Sequence, residues 1–310
     1  MSDAFVLDGP GPARNGAWRR MADGRTLPIL TVLGALLIVW FLAAIWLNAP
    51  QAGDQLAKVD PDYTTSDLVR ATWTMKRPVL PTPLQVGVEL WATTVGQKIT
   101  SKRSLVHHAG VTASATLAGF AAGTLLGVLL AVGIVHVATL DRSLMPWVIA
   151  SQTVPILAIA PMIVVVLGQM GFTGLMPKAV ISAYLCFFPV TIGMVKGLRS
   201  PDPLHLDLMR TYSASRLQTF FKLRAPASLP FLFPSLKVAI ALGLVGAIVG
   251  ELPTGAQAGL GARLLTGSYY GQTVQIWSAL IMAALLALVL IAAVGLAERL
   301  ALRRFGGMPA

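Results

Sequence analysis

Six long apolar runs constrain this chain more than any other feature of its sequence. Crossing a bilayer core of roughly 30 Å takes about 20 helical residues, and most of the runs reach that length. Because 55% of the 310 residues are hydrophobic and only 12% are charged, the chain has more apolar side chains than one soluble core can bury. We predict an all-α, polytopic membrane helix bundle with six transmembrane spans. The runs are Leu27–Leu47, Ala109–Val135, Leu144–Leu167, Leu175–Val195, Leu236–Val249 (extended back to Phe231) and Val274–Ala297.

The distribution of Lys and Arg predicts the orientation. A cytoplasmic N-terminus places most of the 24 basic residues in the arm, short loops and tail on the inner side, which is the usual bias. The first run follows arginines, as a secretory signal peptide does, but it is longer than the roughly 7–15 apolar residues of a signal. We interpret it as an uncleaved anchor. The net charge of +11 is spread over separate loops without a nucleic-acid motif, so we expect membrane lipid and no nucleic acid as a partner.

The pattern divides the chain into five regions. They are a cytoplasmic arm (1–26), the anchor helix (27–47), a periplasmic loop with an interfacial helix (48–104), a five-span core (105–297) that includes a polar loop (196–230), and a cytoplasmic tail (298–310). Thr82 followed by Pro83 is typical of a helix start, and we predict the interfacial helix from Pro83 to about Thr100.

Small residues recur every fourth position in the second span, at Ala115, Gly119, Gly123, Gly127 and Ala131. This pattern lets helix backbones approach closely in lipid. We interpret it first as helix packing and only second as a mark of a substrate path.

The third span contains the polar segment Ser151-Gln152-Thr153 next to Pro155, with Pro161 further on. Prolines free backbone groups that neighbours must satisfy, so we predict a bent or interrupted helix. Gln152 and Thr153 either face a translocation path or repair local hydrogen bonding, and the sequence favours neither. Ser182 and Tyr184, near Pro189 in the fourth span, raise the same question.

Other classes of function find little support. No span has a carboxylate, histidine or lysine near its centre, which counts against a proton-driven carrier. The adjacent His107 and His108 lack the i, i+4 spacing of helical metal sites, so we expect neither a metal site nor catalytic residues. Cys186 is expected to be an apolar filler inside the fourth span.

The polar loop reads as two short helices rather than as a linker. Asp202-Pro203 is an N-cap followed by proline at the first helical position, and the first helix is expected to reach about Tyr212. Ser215 and Gln218 have the spacing of a capping box. We expect the second helix to continue to Ala225 and to end at Pro226.

The spacing of Asp207, Ser213 and Pro226 in this loop resembles the EAA loop of the permease subunits of binding-protein-dependent ABC importers. In that family the loop reads Glu-Ala-Ala, three residues, Gly, nine residues, Ile, one residue, Leu-Pro. The residues here at the corresponding positions are Asp207-Leu208-Met209, Ser213, Leu223 and Ala225-Pro226. The six-span layout and the segment from Gly250-Glu251 to Gly259-Leu260-Gly261 are similar to the nitrate, sulfonate and taurine branch.

The resemblance implies a transport subunit of the bacterial inner membrane that has no catalytic site of its own. A soluble periplasmic binding protein would deliver a small polar or anionic organic solute, of the sulfonate, nitrate, pyrimidine or thiamine-precursor type. Two copies of a cytoplasmic ATPase, which bind ATP and Mg, would drive a pair of permease copies, expected to be a homodimer. The chain has no phosphate-binding Gly-x-x-x-x-Gly-Lys-Ser/Thr sequence and needs no cofactor itself.

The resemblance also assigns residues to these contacts. Glu251 would contact the binding protein or pair with Arg263, although an ordinary surface carboxylate is the simpler alternative. The residues expected to contact the ATPase are Asp207, Met209, Arg210, Tyr212, Ser213, Arg216, Leu217, Phe220 and Pro226.

An ion-coupled secondary transporter or a channel without an ATPase is the alternative function.

Overall fold

The computed structural model describes residues 26–253 and 258–304, and the described residues form helices, turns and loops without a strand. The predicted all-α membrane bundle is confirmed. The α-helices are α1 (Thr26–Leu56), α2 (Thr65–Thr74), α3 (Pro83–Thr94), α4 (Leu105–His136), α5 (Ala138–Ala150), α6 (Ile156–Gln169), α7 (Leu175–Leu198), α8 (Pro203–Thr211), α9 (Arg216–Thr219), α10 (Ala225–Glu251), α11 (Leu260–Tyr269) and α12 (Thr273–Arg304). A 3₁₀ turn (Ser151–Thr153) joins α5 to α6, and a π turn (Phe220–Arg224) joins α9 to α10.

The described residues divide into two compact units, with the boundary between Gln85 and Val86. In the first unit, α1 continues past the predicted end of the anchor at Leu47 to Leu56. The fully buried Asn48 side chain organises the segment that follows. Its Oδ1 accepts from the amides of Val79 (2.7 Å) and Leu80 (3.2 Å), and its Nδ2 donates to the Leu80 carbonyl (2.8 Å). One amide therefore satisfies three backbone groups of a segment that forms no regular structure.

The predicted helix start at Thr82 is confirmed. The Gln85 amide donates to Thr82 Oγ1 (3.3 Å), and the Thr82 amide donates to Gln85 Oε1 (3.0 Å), so the two ends of a capping box are present. The helix ends at Thr94, earlier than the predicted Thr100.

In the second unit, α7 packs between α4 and α10 through small residues. A Cβ atom placed on Gly119 or Gly123 of α4 would lie 2.6 Å from the carbonyl oxygen of Ala179 or Ala183 on α7. Gly246 of α10 is also close, since its Cβ would lie 2.9 Å from the Cα of Ser182. Gly127 continues the α4 contact against Phe187 and Val190. Backbone approach of this kind gives dense packing and specific pairing in lipid.

These contacts fix the helix directions. Successive glycines of α4 meet successive turns of α7 in the same order, so α4 and α7 are parallel, whereas α10 is antiparallel to α7. We call the end of the bundle that carries His136, Leu198 and Ala225 the loop end, and the end that carries Leu105 and Glu251 the far end.

The third predicted span is broken. The chain leaves α4 at the loop end and enters α7 at the far end, so α5 and α6 together return across the bundle. The two helices are bent by 100° at the 3₁₀ turn, which confirms the predicted bend. The described residues contain five helices that are long and apolar enough to cross a membrane, or six spans when this bent pair is counted as one.

Candidate functional site

The polar loop forms a helical projection at the loop end. Asp202 Oδ1 caps α8 by accepting from the Leu204 amide (2.8 Å). At the end of α8 the Ala214 amide donates to the Met209 carbonyl (2.9 Å), and Ser213 has φ 52°. Ser213 occupies the position where the EAA loop has glycine, and it takes the left-handed conformation that glycine adopts without a Cβ penalty.

The second helix of the loop begins as predicted. The Gln218 amide donates to Ser215 Oγ (3.2 Å), and the Ser215 amide donates to Gln218 Oε1 (2.8 Å). The predicted end at Pro226 is wrong. The Ala225 amide donates to the Phe220 carbonyl in a π turn, and the helix then continues through Pro226 to Glu251. The wide π turn and the position of Pro226 in the first turn of α10 remove the steric conflict that ends a helix at proline.

The exposed surface of the loop is apolar as well as charged. Tyr212 and Leu217 are 77% and 69% exposed. Leu204, Leu208 and Phe221 are also large, apolar and exposed. These three side chains were not among the predicted contact residues. An unburied apolar surface on a polar projection is typical of a contact site for another protein.

Three of the predicted contact residues, Met209, Phe220 and Pro226, are less exposed than the rest of this surface. Met209 is only partly exposed. Phe220 makes a ring contact with His136 of α4 (5.5 Å between centroids) and so connects the loop to the helix bundle. It packs against a buried cluster that consists of Ala131, Ile134, Met194, Val195 and Leu198.

Positive charge lines a groove beside the projection. Its lining includes Arg210, Arg216 and Arg224 together with His136. Asp207 pairs with Arg210 (2.9 Å), and both side chains are largely exposed, so water screens this pair and it contributes little to stability. The other two arginines give the groove a surface suited to an acidic partner.

Three of the four predicted path residues lie at the 3₁₀ turn, and Ser182 lies apart from them. Gln152 and Thr153 are exposed in the 3₁₀ turn, and Thr153 Oγ1 donates to the Ala150 carbonyl (2.8 Å). Tyr184 reaches the same turn, where its hydroxyl donates to the Ser151 carbonyl (2.5 Å). Ser182 is fully buried at the junction of α4, α7 and α10, where it contributes to packing.

Glu251 differs most from its prediction. Contact with the binding protein, an ion pair with Arg263 and an ordinary surface carboxylate were the alternatives, but the side chain is 0% exposed and pairs with Lys178. The sequence contains a signal that was missed. Lys178 and Glu251 are opposite charges near the ends of two apolar helices, and such charges are expected to pair when they are buried. Among the described residues, no group of three or more His, Cys, Asp or Glu side chains is arranged to hold a metal ion.

Comparison with known proteins identifies the family. Residues 123–306 match the model of the binding-protein-dependent transport system inner membrane component. The riboflavin transport system permease protein of Chloroflexus aurantiacus is 32% identical over 225 residues, which are 73% of this chain and 80% of that protein. The formylaminopyrimidine transport permease protein of Halalkalibacterium halodurans is 32% identical over 59% of this chain and 68% of its own length. The nitrate import permease protein of Leptolyngbya laminosa is 29% identical over 56% of this chain and 59% of its own length. This chain therefore belongs to the family of inner-membrane components of binding-protein-dependent transport systems, the permeases of ABC importers.

Proposed function

We propose that this chain forms the translocation path of an ABC importer and that the projection of α8 and α9 is its contact with a cytoplasmic ATPase. The observation that carries this proposal is the exposed apolar surface of the projection, which is joined to a spanning helix without a break. The continuous helical segment runs from Arg216 to Glu251. Its 36 residues are about 54 Å long at 1.5 Å per residue, more than a bilayer core requires.

The ATPase would supply all of the chemistry. In this proposal two ATPase subunits bind ATP and Mg, and their closure moves the projections of two permease copies. The apolar side chains of the projection would enter a groove of the ATPase, while Arg216 and Arg224 would meet acidic side chains at its rim.

A second copy of this chain would complete the path. Helix α6, the second half of the broken span, presents an apolar surface in which Met162 and Val166 are 66% and 57% exposed. A homodimer that pairs such surfaces would bring the two 3₁₀ turns, with Gln152 and Thr153, toward a shared axis. These two polar side chains are our candidates for the lining of the path.

For the substrate class, we favour a small nitrogen heterocycle such as a pyrimidine or a related vitamin precursor. Two of the relatives described above carry riboflavin and formylaminopyrimidine in their names. A periplasmic binding protein would select the solute, and the N-terminus of the permease would face the cytoplasm.

The coupling proposal is tested by affinity purification of the tagged chain from its native membrane. The variant D207K/L217D reverses one charge and places another within the apolar part of the proposed contact. We expect the ATPase to accompany the wild type and to be lost from the variant. The control is V59D, which places the same carboxylate at another exposed apolar position, 85% exposed, and which should retain the ATPase.

The same preparation tests the alternative function. Proteoliposomes that contain the wild-type complex and its binding protein are expected to accumulate a labelled pyrimidine only with ATP inside. Transport by the wild-type chain alone in ATP-free liposomes would overturn the importer proposal in favour of an ion-coupled carrier or a channel. Uptake of sulfonate or nitrate without uptake of heterocycles would overturn the substrate class only.

A further inference from the structure

Buried polar groups from three helices converge at the far end of the second unit. Glu251, at the end of α10, accepts from Thr112 Oγ1 of α4 (2.9 Å) and from Lys178 Nζ of α7 (3.5 Å). His108, one turn before Thr112, is 3% exposed. All four side chains are at least nine-tenths buried, and we call them the far-end cluster.

The far-end cluster holds one short piece of backbone, residues 258–261. The Gly259 amide donates to His108 Nδ1 (2.9 Å), the Leu260 amide to Thr112 Oγ1 (2.8 Å) and the Gly261 amide to Glu251 Oε2 (2.7 Å). Lys178 Nζ donates to the Ala258 carbonyl (3.1 Å). Four consecutive residues are thus each held by a side chain from another helix.

Two glycines make room for the carboxylate. Gly259 has φ +129°, and a Cβ atom there would overlap the Glu251 carboxylate. A Cβ atom on Gly261 would lie 2.8 Å from the Cβ of Glu251 and would overlap the Ile248 carbonyl oxygen. Because α11 begins at Leu260, the carboxylate also lies at the N-terminus of this helix, where the helix dipole stabilises negative charge. The backbone of residues 259–261 therefore approaches Glu251 so closely that side chains larger than glycine do not fit at positions 259 and 261.

The cluster lies at one end of the helical segment whose other end is the projection. Arg216 begins this segment and Glu251 ends it. The projection and Glu251 therefore belong to one continuous helical segment. Glu251 in turn holds the start of α11 through the Gly261 amide, and at the other end of α11 Tyr269 and Tyr270 are 78% and 65% exposed.

We propose that the far-end cluster is a latch that transmits the movement of the projection through α10 to α11. This proposal rests on the proposed function, since it assigns positioning residues to the transport cycle. Helix α11 is then an element of the permease whose position follows the nucleotide state of the ATPase.

The chemistry of the cluster favours transmission over simple stability. Buried ion pairs are often no more stabilising than well-packed apolar residues of the same volume. Ionisable groups within spanning segments are costly and are usually functional. A set of directional hydrogen bonds fixes one position of α11 relative to α10, which an apolar contact does not.

The test measures the position of α11 directly. In a C186A background, Tyr269→Cys places a single thiol on the exposed end of this helix, and we call it the reporter thiol. Its rate of modification by a water-soluble methanethiosulfonate reagent is measured in the purified complex with and without ATP and vanadate. We expect the rate to change at least threefold on nucleotide binding when the cluster is intact.

The variants separate a latch from a structural pair. In K178M/E251L no uncompensated charge remains, and the complex should still purify with its ATPase. We expect its transport to fall at least tenfold and the nucleotide response of the reporter thiol to disappear. D141N, which breaks the exposed pair between Asp141 and Arg199, is the matched control and should retain both.

The remaining outcomes are decisive. Transport within twofold of wild type and an unchanged response of the reporter thiol in K178M/E251L would overturn the latch. If that variant does not assemble, T112V decides, because it keeps both charges and removes only the hydroxyl shared by Glu251 and Leu260. The latch is supported if the nucleotide response of the reporter thiol is at least threefold smaller in T112V than with the cluster intact. An unchanged nucleotide response in T112V overturns the latch.

The latch and the proposed function fail in different ways. A wild-type chain that purifies without an ATPase overturns the proposed function. A complex that carries only the reporter substitution, assembles and transports, and yet shows no nucleotide response of the reporter thiol overturns the latch alone.

Discussion

The ammonium group of Lys178 lies 3.5 Å from the carboxylate of Glu251, and the two side chains are 7% and 0% exposed. The pair joins α7 to α10 across 73 positions of sequence. Removing two charges from water is costly, and here the cost is offset by mutual attraction and by the hydrogen bonds from Thr112 and Gly261. The pair is therefore sensitive to the loss of either partner.

Lys178→Met should destabilise the protein by about 3–5 kcal/mol, because it leaves the Glu251 charge buried without its counter-ion. The thermal midpoint of the purified protein in detergent measures the effect. Arg199→Gln breaks an exposed ion pair and should change stability by less than about 1 kcal/mol. Equal shifts for the two variants would contradict the burial of the first pair.

Gly123→Val should destabilise the protein by roughly 1–3 kcal/mol, because the contact with α7 leaves no room for a side chain. A Cβ atom on residue 123 would lie 2.6 Å from the Ala183 carbonyl oxygen, whereas a Cβ atom on Gly110 of the same helix would meet nothing within 4 Å. Gly110→Val is the matched control and should leave the thermal midpoint nearly unchanged. A similar loss at both positions would mean that the close contact of Gly123 with α7 is not responsible.

The glycine stripe of α4 could be predicted from the sequence because helical periodicity acts within one element. The matching residues on its neighbours were not identified, since Gly246 and Ser182 belong to different helices whose pairing depends on tertiary packing. The helix start at Thr82 and the capping box at Ser215 were equally local and were predicted correctly.

The errors have a common physical origin in contacts that local sequence patterns do not describe. Pro226 normally ends a helix, but the preceding π turn accommodates it. Glu251 follows an apolar run and was expected at the surface, but the charge of Lys178 and the backbone of residues 258–261 compensate its burial. The contact of Phe220 with the ATPase stays a prediction, and the local pattern did not indicate that this side chain also packs against the cluster around Leu198.

Asn48→Leu should destabilise the first unit by about 1–3 kcal/mol for each backbone group that it leaves unpaired. Asn48 satisfies three groups of Val79 and Leu80, and leucine has no polar atom to replace it. Hydrogen exchange at the amides of these two residues measures the effect, and faster exchange is expected. Gln51→Leu also replaces an amide side chain, at an exposed position of α1, and should leave the exchange rates as they are.

Ser213→Gly should stabilise the projection by roughly 1 kcal/mol, since glycine adopts positive φ without the penalty that a Cβ imposes. Ser213 has φ 52°, and a β-branched residue such as valine is a strong outlier there. Ser213→Val should therefore lower the thermal midpoint of the purified complex, while Ser213→Gly raises it. A lower midpoint for both variants would show that the serine hydroxyl, which both lack, outweighs the backbone conformation.

Deletion of Lys222 should uncouple the projection from the spanning part of α10. The π turn from Phe220 to Arg224 contains one residue more than an α-helical turn needs. Removing an exposed residue from it should restore a regular helix and rotate α8 and α9 by about 100° about the axis of α10. We expect the ATPase no longer to accompany the purified chain, while membrane insertion and the thermal midpoint change little. Lys222→Ala keeps the residue count and removes the same charge, so it should retain the ATPase. If the deletion variant keeps the ATPase as well as Lys222→Ala does, the rotation of α8 and α9 that the π turn sets has no part in the contact with the ATPase.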